Sequence, residues 1–301
     1  MIGSRMSTVS KPPAPTPRVA VVTVSYGSDD VLGPFLASLP SASRQPLHVV
    51  VVDNKPAAFT NVVESLTTSA GATYLPLPSN RGYGYAINSA VRELEPEIDW
   101  VVVSNPDVTV NPGCIDILLG SVLDSAIAAV GPRILSSDGE VYPSARTVPS
   151  LRSGVGHAIF ANYWPKNPWT RNYRKESEIE AVRRDAGWLS GAFLMIRRSV
   201  FDQLDGFDES YFMYFEDVDL GYRIGRLGLR NLYEPAAVVV HTGAHSTSTH
   251  DESAGMIRAH HESAQKFLFK KYSGPWQRPL RLLLAVGLGL RSRLEARRSP
   301  R

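Results

Sequence analysis

The chain has 301 residues, 43% apolar and 20% charged, enough to bury the core of one large or two small domains without disulfides or a structural metal. A single cysteine, Cys114, excludes a disulfide framework, a zinc–thiolate site and a dithiol redox centre, and suits a reducing compartment. The net charge of +3 is unevenly placed: residues 266–301 hold ten Lys/Arg against one Glu, which leaves the preceding 265 at −6, and this balance argues against a nucleic-acid binder.

Residues 1–17 are rich in Pro and Ser and lack an apolar h-region, so they read as a disordered lead-in, with Met6 as an alternative start. Residues 18–26 (RVAVVTVSY) form a short β-branched run, the pattern of a buried strand. Ser28 and Asp29 are placed to cap a helix on which Val31, Leu32, Phe35, Leu36 and Leu39 recur. Residues 48–53 (HVVVVD) predict a second buried strand, broken by Asn54, Lys55 and Pro56, and Ile87, Ala90, Val91 and Leu94 mark the next helix. Residues 100–105 (WVVVSN) predict a third strand, and Ile115, Leu118, Leu119, Val122 and Leu123 a helix behind it. Residues 140–186, with YPSAR and NYWPKNPWT, show no clear period and read as long loops over the sheet. Order returns in the strand-like run at 187–198 (GWLSGAFLMIRR), followed by a helix opened by Ser199. A further helix runs from about Asp217 to Gly228, and residues 229–241 (LRNLYEPAAVVVH) supply one or two last strands.

Strands alternating with helices imply right-handed crossovers and a mainly parallel, doubly wound sheet, whose ligands bind beyond the carboxyl ends of the strands. Tyr26, Asp53 and Asp107 all fall there. Asp53 reads either as a turn residue or as a carboxylate accepting the imide N–H of a uracil or thymine base. No GxGxxG follows the first strand, which argues against a dinucleotide site. The two glycines of 80–88 (NRGYGYAIN) precede a helix, where backbone approach and the helix N-terminus would favour a diphosphate. Asn105-Pro106-Asp107 is an Asx-type turn or a one-carboxylate seat for a hard divalent cation that takes its other ligands from phosphates and water. The run at 215–219 (FEDVD) sets three carboxylates in a first helical turn among Tyr211, Phe212, Tyr214 and Phe215, which suits a cleft holding a general base. Five of the seven histidines, His241, His245, His250, His260 and His261, lie near the C-terminus without HExxH spacing or a cysteine partner, and His241 closes a strand at the same sheet edge.

In their order, VVTVSY, VVVVDN, NRGYGYAIN, SNPD, GWLSGAFLMIRR, FDESYFMYFEDVDL and VVVHTGAHS resemble the family 2 glycosyltransferases of the GT-A fold, over about residues 18–272. The resemblance implies an α/β, Rossmann-like sheet with a nucleotide-sugar half (18–135), an acceptor half (136–272) and a basic amphipathic C-terminal helical tail (273–301). It assigns Asp217 as catalytic base and Asp107 and His241 as ligands of Mn²⁺ or Mg²⁺. The family's Asp-x-Asp element reads Asn105-Pro106-Asp107 here, so one of its carboxylates is missing. Donor contacts would come from Thr23, Ser25, Tyr26, Asp53, Asn54, Asn80, Arg81, Gly82, Asn105 and Pro106, and acceptor contacts from Trp188, Ser190, Gly191 and Glu216. A narrower likeness, in YPSAR, NYWPKNPWT, SYFMYFEDVDLGYR and HTGAHST, is to the actinobacterial rhamnosyltransferases of cell-wall arabinogalactan linkage-unit synthesis. It implies inverting transfer of L-rhamnose from dTDP-L-rhamnose to the 3-hydroxyl of GlcNAc on a polyprenyl-diphosphate carrier.

The longest apolar run near the C-terminus, residues 282–290, falls far short of the roughly 20 residues that span a bilayer. The expectation is therefore a cytoplasmic enzyme, peripheral on the inner face of the plasma membrane. Residues 276–298 mix Leu with Arg, as a segment lying on an anionic membrane surface would, the alternative being a helix packed on the domain. A homodimer is left open, and no nucleic-acid partner is expected. Two competing readings are a family 2 enzyme using UDP-galactofuranose or UDP-GlcNAc, and a non-catalytic membrane-bound scaffold.

Overall fold

The structure, a computed structural model, describes residues 17–55, 61–150, 182–243, 250–277 and 279, with the backbone alone for 250–258. Its centre is a ten-stranded sheet whose main path runs β3(Thr73–Pro76), β2(Leu47–Asp53), β1(Val19–Ser25), β4(Trp100–Ser104), β11(Phe193–Arg197), β6(Ile127–Leu135), β12(Arg230–His241), β5(Val108–Val110). Six of these eight strands point the same way; β11 is inserted antiparallel between β4 and β6, and β5 is antiparallel to β12. Two further strands join off the path, β7(Val141–Tyr142) on β6 and β9(Arg184–Ala186) on β12, while β8(Ala145–Arg146) and β10(Trp188–Leu189) pair with each other.

The valine runs form strands because they are covered on both faces, and β1 is buried at every position. One face packs α1(Asp29–Ala42) and α4(Cys114–Ser121) through Leu32, Phe35, Leu39, Ile115 and Leu118. The other packs α3(Tyr83–Glu93), α5(Arg198–Gln203) and α6(Glu216–Arg226) through Ile87, Val91, Phe201, Leu220 and Ile224. The chain winds one way from β1 to β2 and β3 and the other way to β4, so the order reverses between β1 and β4. That switch point opens the crevice in which doubly wound sheets bind ligands.

Several expectations need correction. The described ends of the 140–186 region are not all loop, since they hold β7, β8 and β9; residues 151–181, with NYWPKNPWT, lie outside the described residues. Leu123 does not belong to the helix before it, because α4 stops at Ser121 and Leu123 is 89% exposed. Residues 127–135 and 62–69, which carry β6 and α2(Val62–Ser69), and residues 250–271, which form α7(His250–Lys271), are additional elements. The 229–241 region is one strand with register shifts after Arg230 and Glu234. The second shift lies opposite Pro132 and Arg133, and β11 pairs with β6 only at Ala129 and Val130, so the proline that lacks a donor N–H escapes a doubly paired position. Most of the 273–301 tail lies outside the described residues, and among the described residues no helix is long and apolar enough to cross a membrane.

Candidate active site

The sheet brings the sequence-predicted residues into three groups. The first gathers at the ends of β1 and β2. Asp53 is 1% exposed, and its Oδ1 accepts the Lys55 N–H (3.0 Å) in an Asx-type turn while its Oδ2 accepts the Tyr74 hydroxyl (2.9 Å). Burial and the bond to Asp53 push the Tyr74 hydroxyl up to about 12. The turn reading of Asp53 is therefore correct in geometry, and Tyr74 holds the carboxylate in one orientation. A carboxylate has about four acceptor positions, so a base N–H can still be received. Thr23 Oγ1, Ser25 Oγ and Asn54 Oδ1 are buried here without a partner among the described residues. Buried hydroxyl and amide oxygens left unpaired cost free energy, which a polar ligand would recover. Tyr26 is 54% exposed and carries Lys55 Nζ 5.2 Å above its ring.

The second group is the turn after β4. Asn105 N–H donates to Ala192 O (2.9 Å), and Thr242 donates both N–H (3.0 Å) and Oγ1–H (3.1 Å) to Asp107 O. Antiparallel pairing sets His241 opposite Val108, so the imidazole meets the neighbouring Asp107: His241 Nε2 lies 3.0 Å from Asp107 Oδ1 and 3.3 Å from Asn105 Nδ2. One carboxylate and one imidazole converging on the same point suit a divalent cation that completes its shell with phosphate and water oxygens. No cluster of three or more His, Cys, Asp or Glu side chains is found among the described residues, so any such ion is held open to a ligand.

The third group is the start of α6. Tyr214 and Phe215 have φ of 67° and 69°, and these left-handed residues turn the chain so that the helix opens on Glu216 and Asp217. Such backbone costs about 1–3 kcal/mol per residue and persists only where the surroundings impose it. Asp217 Oδ2 accepts the Gly191 N–H (2.9 Å) and its Oδ1 the Val218 N–H (2.8 Å); Gly191 O accepts the Tyr83 hydroxyl (3.0 Å). Burial raises both carboxyl groups. Asp217 is drawn back by these N–H bonds and by the Arg146 charge, whereas Glu216, with the Asp217 charge beside it and Oε2 unpartnered, is pushed up to about 8. Burial thus raises both groups, and the N–H bonds together with the Arg146 charge favour the ionised form of Asp217, while nothing comparable favours that of Glu216. The third carboxylate of this turn, Asp219, has no such role: it is fully buried and paired with Arg223 (2.6 Å) and Lys270 (2.7 Å).

A folded-state pKa above the usual 4.5 means that the folded chain keeps a Glu216 proton which the unfolded chain releases, so stability falls as pH rises from about 4.5 to about 8. Glu216→Gln removes that loss. Its melting temperature in metal-free protein should exceed the wild type's by roughly a few degrees at pH 8 and by much less at pH 5. An equal difference at both values would show that Glu216 ionises normally.

Residues 80–88 act differently from their sequence reading. Gly82 has φ of 104°, and a Cβ there would lie 2.3 Å from Phe212 O, so the close approach is to the chain's own 207–215 loop. The α3 N-terminus is partly used as well: Tyr83 N–H donates to Phe212 O (3.0 Å) and Gly82 N–H to Asn80 Oδ1 (3.0 Å). Arg81 stacks 4.0 Å from the Tyr85 ring and lies 4.0 Å from Glu209. Buried Asn88 completes the clamp, donating Nδ2–H to Phe207 O (2.8 Å) and accepting the Phe207 N–H at Oδ1 (2.9 Å). This segment therefore fixes the loop that leads to Glu216 and Asp217. Asn88→Ala would orphan two backbone groups and is expected to cost about 2–4 kcal/mol by urea denaturation; an unchanged midpoint would remove the clamp.

Of the residues expected on the acceptor side, Trp188 donates Nε1–H to Thr147 O (3.1 Å), and buried Ser190 donates its N–H to Ser144 O (2.7 Å). Pro106 shapes the turn between Asn105 and Asp107. Tyr83 was absent from the sequence-predicted set; burial and the charges of Glu216, Asp217 and Asp107 raise its hydroxyl well above the ordinary value, so it stays a donor to Gly191. A separate cleft of about 380 Å³ follows the C-terminal half of α6, bordered by Val148, Gly187, Gly221, Tyr222 and Gly225, and includes none of the carboxylates above.

A family model described as "Glycosyltransferase like family 2" matches residues 17–261. The chain is 45% identical over 291 residues, 93% of its length and 94% of the relative's, to the N-acetylglucosaminyl-diphospho-decaprenol L-rhamnosyltransferase of Mycobacterium tuberculosis. It is 25% identical to the rhamnosyltransferase WbbL of Escherichia coli, covering 84% of this chain and 93% of that one. Among solved structures, the mannosyltransferase PcManGT of Pyrobaculum calidifontis, in complex with GDP-Man and Mn²⁺, superposes with a TM-score of 0.56 at 18% identity, covering 87% of this chain and 68% of that one. The structural likeness bears out the GT-A fold.

Proposed function

The chain belongs to glycosyltransferase family 2, and from that premise we propose that it transfers L-rhamnose from dTDP-L-rhamnose, with inversion, to the 3-hydroxyl of GlcNAc on a polyprenyl-diphosphate carrier. The observation that carries this reading is 45% identity to a named rhamnosyltransferase across nearly the whole of both chains. The cleft supports it, because it offers a carboxylate held by two backbone N–H groups, Asp217, and a carboxylate–imidazole pair, Asp107 and His241.

In this reading the donor base lies at Tyr26 and Asp53, with the carboxylate aimed by Tyr74 and the Lys55 N–H. The unpartnered oxygens of Thr23, Ser25 and Asn54 take polar groups of the nucleoside, and Asn80 and Arg81 border that end. Asp107 and His241 hold a divalent cation, Mn²⁺ or Mg²⁺, which would neutralise charge on the departing nucleoside diphosphate. Asn105 Nδ2 borders the same imidazole nitrogen at 3.3 Å. Asp217 takes the proton of the acceptor hydroxyl as the new C–O bond forms, since a carboxylate cannot ionise a sugar hydroxyl in advance. Glu216, still protonated, donates a hydrogen bond to the sugar, and Trp188, Ser190 and Gly191 shape the acceptor side. The lipid acceptor places the enzyme, in this reading, at the cytoplasmic face of the membrane, with the basic 273–301 segment against anionic lipid.

Calorimetric titration with dTDP, UDP and GDP, each with and without Mn²⁺, followed by a transfer assay on polyprenyl-diphosphate-GlcNAc, tests the reading. Metal-dependent binding that prefers dTDP, with rhamnose transferred, is the expected result. A preference for UDP would replace the donor with a UDP-sugar.

A further inference from the structure

Beyond the pull of its charge on Asp217, Arg146 has no role in the account above, yet it is placed among the residues that do. It lies on β8 directly opposite Trp188 of β10, and its main-chain O accepts the Gly187 N–H (2.8 Å). The guanidinium carbon is 5.9 Å from the Trp188 ring and 6.0 Å from the Tyr142 ring. Tyr142 in turn meets the His241 ring edge-on at 6.5 Å. Two aromatic faces thus hold the cation between the residue beside the acceptor and the residue beside the proposed metal. Among the described residues its Nε–H donates to Pro143 O (2.9 Å), and no carboxylate lies within ion-pair distance of it, although its charge acts on Asp217. A planar fork held at Nε, whose two terminal nitrogens make no hydrogen bond among the described residues, is a shape that matches phosphate oxygens. The acidic side chains Asp107 and Asp217 otherwise set the charge of the cleft, and an anionic ligand entering it needs a cation to meet.

We infer that Arg146, braced by Tyr142 and Trp188, binds a diphosphate group in the active-site cleft. This rests on the proposed function, in which both substrates carry a diphosphate: the nucleoside diphosphate of the donor and the lipid diphosphate of the acceptor. The chemistry is shared, so the source is decided by experiment.

Wild type, Arg146→Gln and Arg146→Lys are titrated with three probes: dTDP in the presence of Mn²⁺, farnesyl-diphosphate-GlcNAc, and octyl β-N-acetylglucosaminide as the diphosphate-free control. Arg146→Gln should weaken at least one diphosphate ligand by about tenfold or more. Arg146→Lys, which keeps the charge and loses the fork, should recover part of that loss, and affinity for the octyl glycoside should stay within about twofold. A loss confined to dTDP assigns the donor diphosphate, and a loss confined to the lipid assigns the acceptor's. Unchanged affinity for both diphosphates overturns the inference. So does an equal loss for all three probes with a lowered melting temperature, which is what a brace for Trp188 alone would give, and so does wild-type protein that binds neither diphosphate. These are binding readouts, so failure of the rhamnosyl reading shows separately, as absence of sugar transfer by the wild type.

Discussion

Asp217→Asn is expected to lower kcat by about three orders of magnitude or more while donor affinity changes by no more than a few-fold. General-base catalysis by a positioned carboxylate is worth about 10²–10⁴, and this cleft offers no ready substitute. Glu216 is adjacent but, pushed up to about 8 by burial and the Asp217 charge, it carries its proton at neutral pH. Removing the Asp217 charge lowers that barrier to ionisation, so a small residual rate that rises with pH is the expected signature of Glu216 acting in its place. The substitution is nearly isosteric. The amide oxygen can keep the Gly191 N–H or the Val218 N–H but not both, because the amide nitrogen is a donor. A stability loss of about 1 kcal/mol follows from that single mismatch and is too small to explain a thousandfold fall. Turnover near the wild-type rate, measured at saturating donor, would remove the base assignment. Loss of both turnover and nucleotide binding would make Asp217 a binding residue.

The pH profile of the wild type carries the same assignment. Asp217 must be ionised to accept the proton, and burial raises its pKa above the usual carboxylate value. Activity therefore falls as pH drops through that raised value, earlier than an exposed aspartate would dictate. The raised pKa also makes Asp217 a stronger base once ionised, which is the usual compromise at catalytic carboxylates.

Much of the site was legible because carboxylates that end buried strands have few structural excuses. Asp53 and Asp107 follow valine runs with no charged residue of their own, and the order of those runs places both at one sheet edge. The EDVD run was legible as a cleft, but its division of labour was not. Asp219 and Arg223 stand at i,i+4 and are locally readable, but the i,i+4 spacing alone does not make Asp219 structural, and Lys270, which completes the pairing, is 51 residues away. Tyr74 and Tyr83 were missed for the same reason: each acts through one hydroxyl on a residue brought near by the sheet, and an aromatic in a strand or helix reads first as packing. The glycines of residues 80–88 were read correctly as marking a close approach, and the partner differed. A backbone brought near a glycine can belong to the chain as easily as to a ligand, and only the position of Phe212 distinguishes them. Strand β6 was hidden by Gly131-Pro132, a turn signal in isolation, which the fold tolerates because the pairing on both sides is interrupted there.

Asp107→Ala is expected to abolish the enhancement of nucleoside-diphosphate binding by Mn²⁺ and to reduce transfer by about 100-fold or more, since a cation at a developing phosphate charge contributes several kcal/mol. The competing account is that Asp107 and His241, 3.0 Å apart, are simply an ion pair that holds β12 to the turn after β4. The two accounts differ in what the metal-free protein does. That turn is already fixed through main-chain atoms, because Thr242 donates both its N–H and its hydroxyl to Asp107 O and Asn105 N–H donates to Ala192 O. Truncating the side chain leaves all three bonds in place, so the metal-free variant should melt within about 2 °C of the wild type. A metal role therefore predicts normal stability with lost metal response, whereas an ion-pair role predicts lowered stability with metal response intact. His241→Ala should follow the same pattern with a smaller loss, because one neutral imidazole contributes less to a divalent cation than a carboxylate does. Mn²⁺ that strengthens dTDP binding equally in wild type and Asp107→Ala would exclude Asp107 from the metal site, whatever happens to the rate.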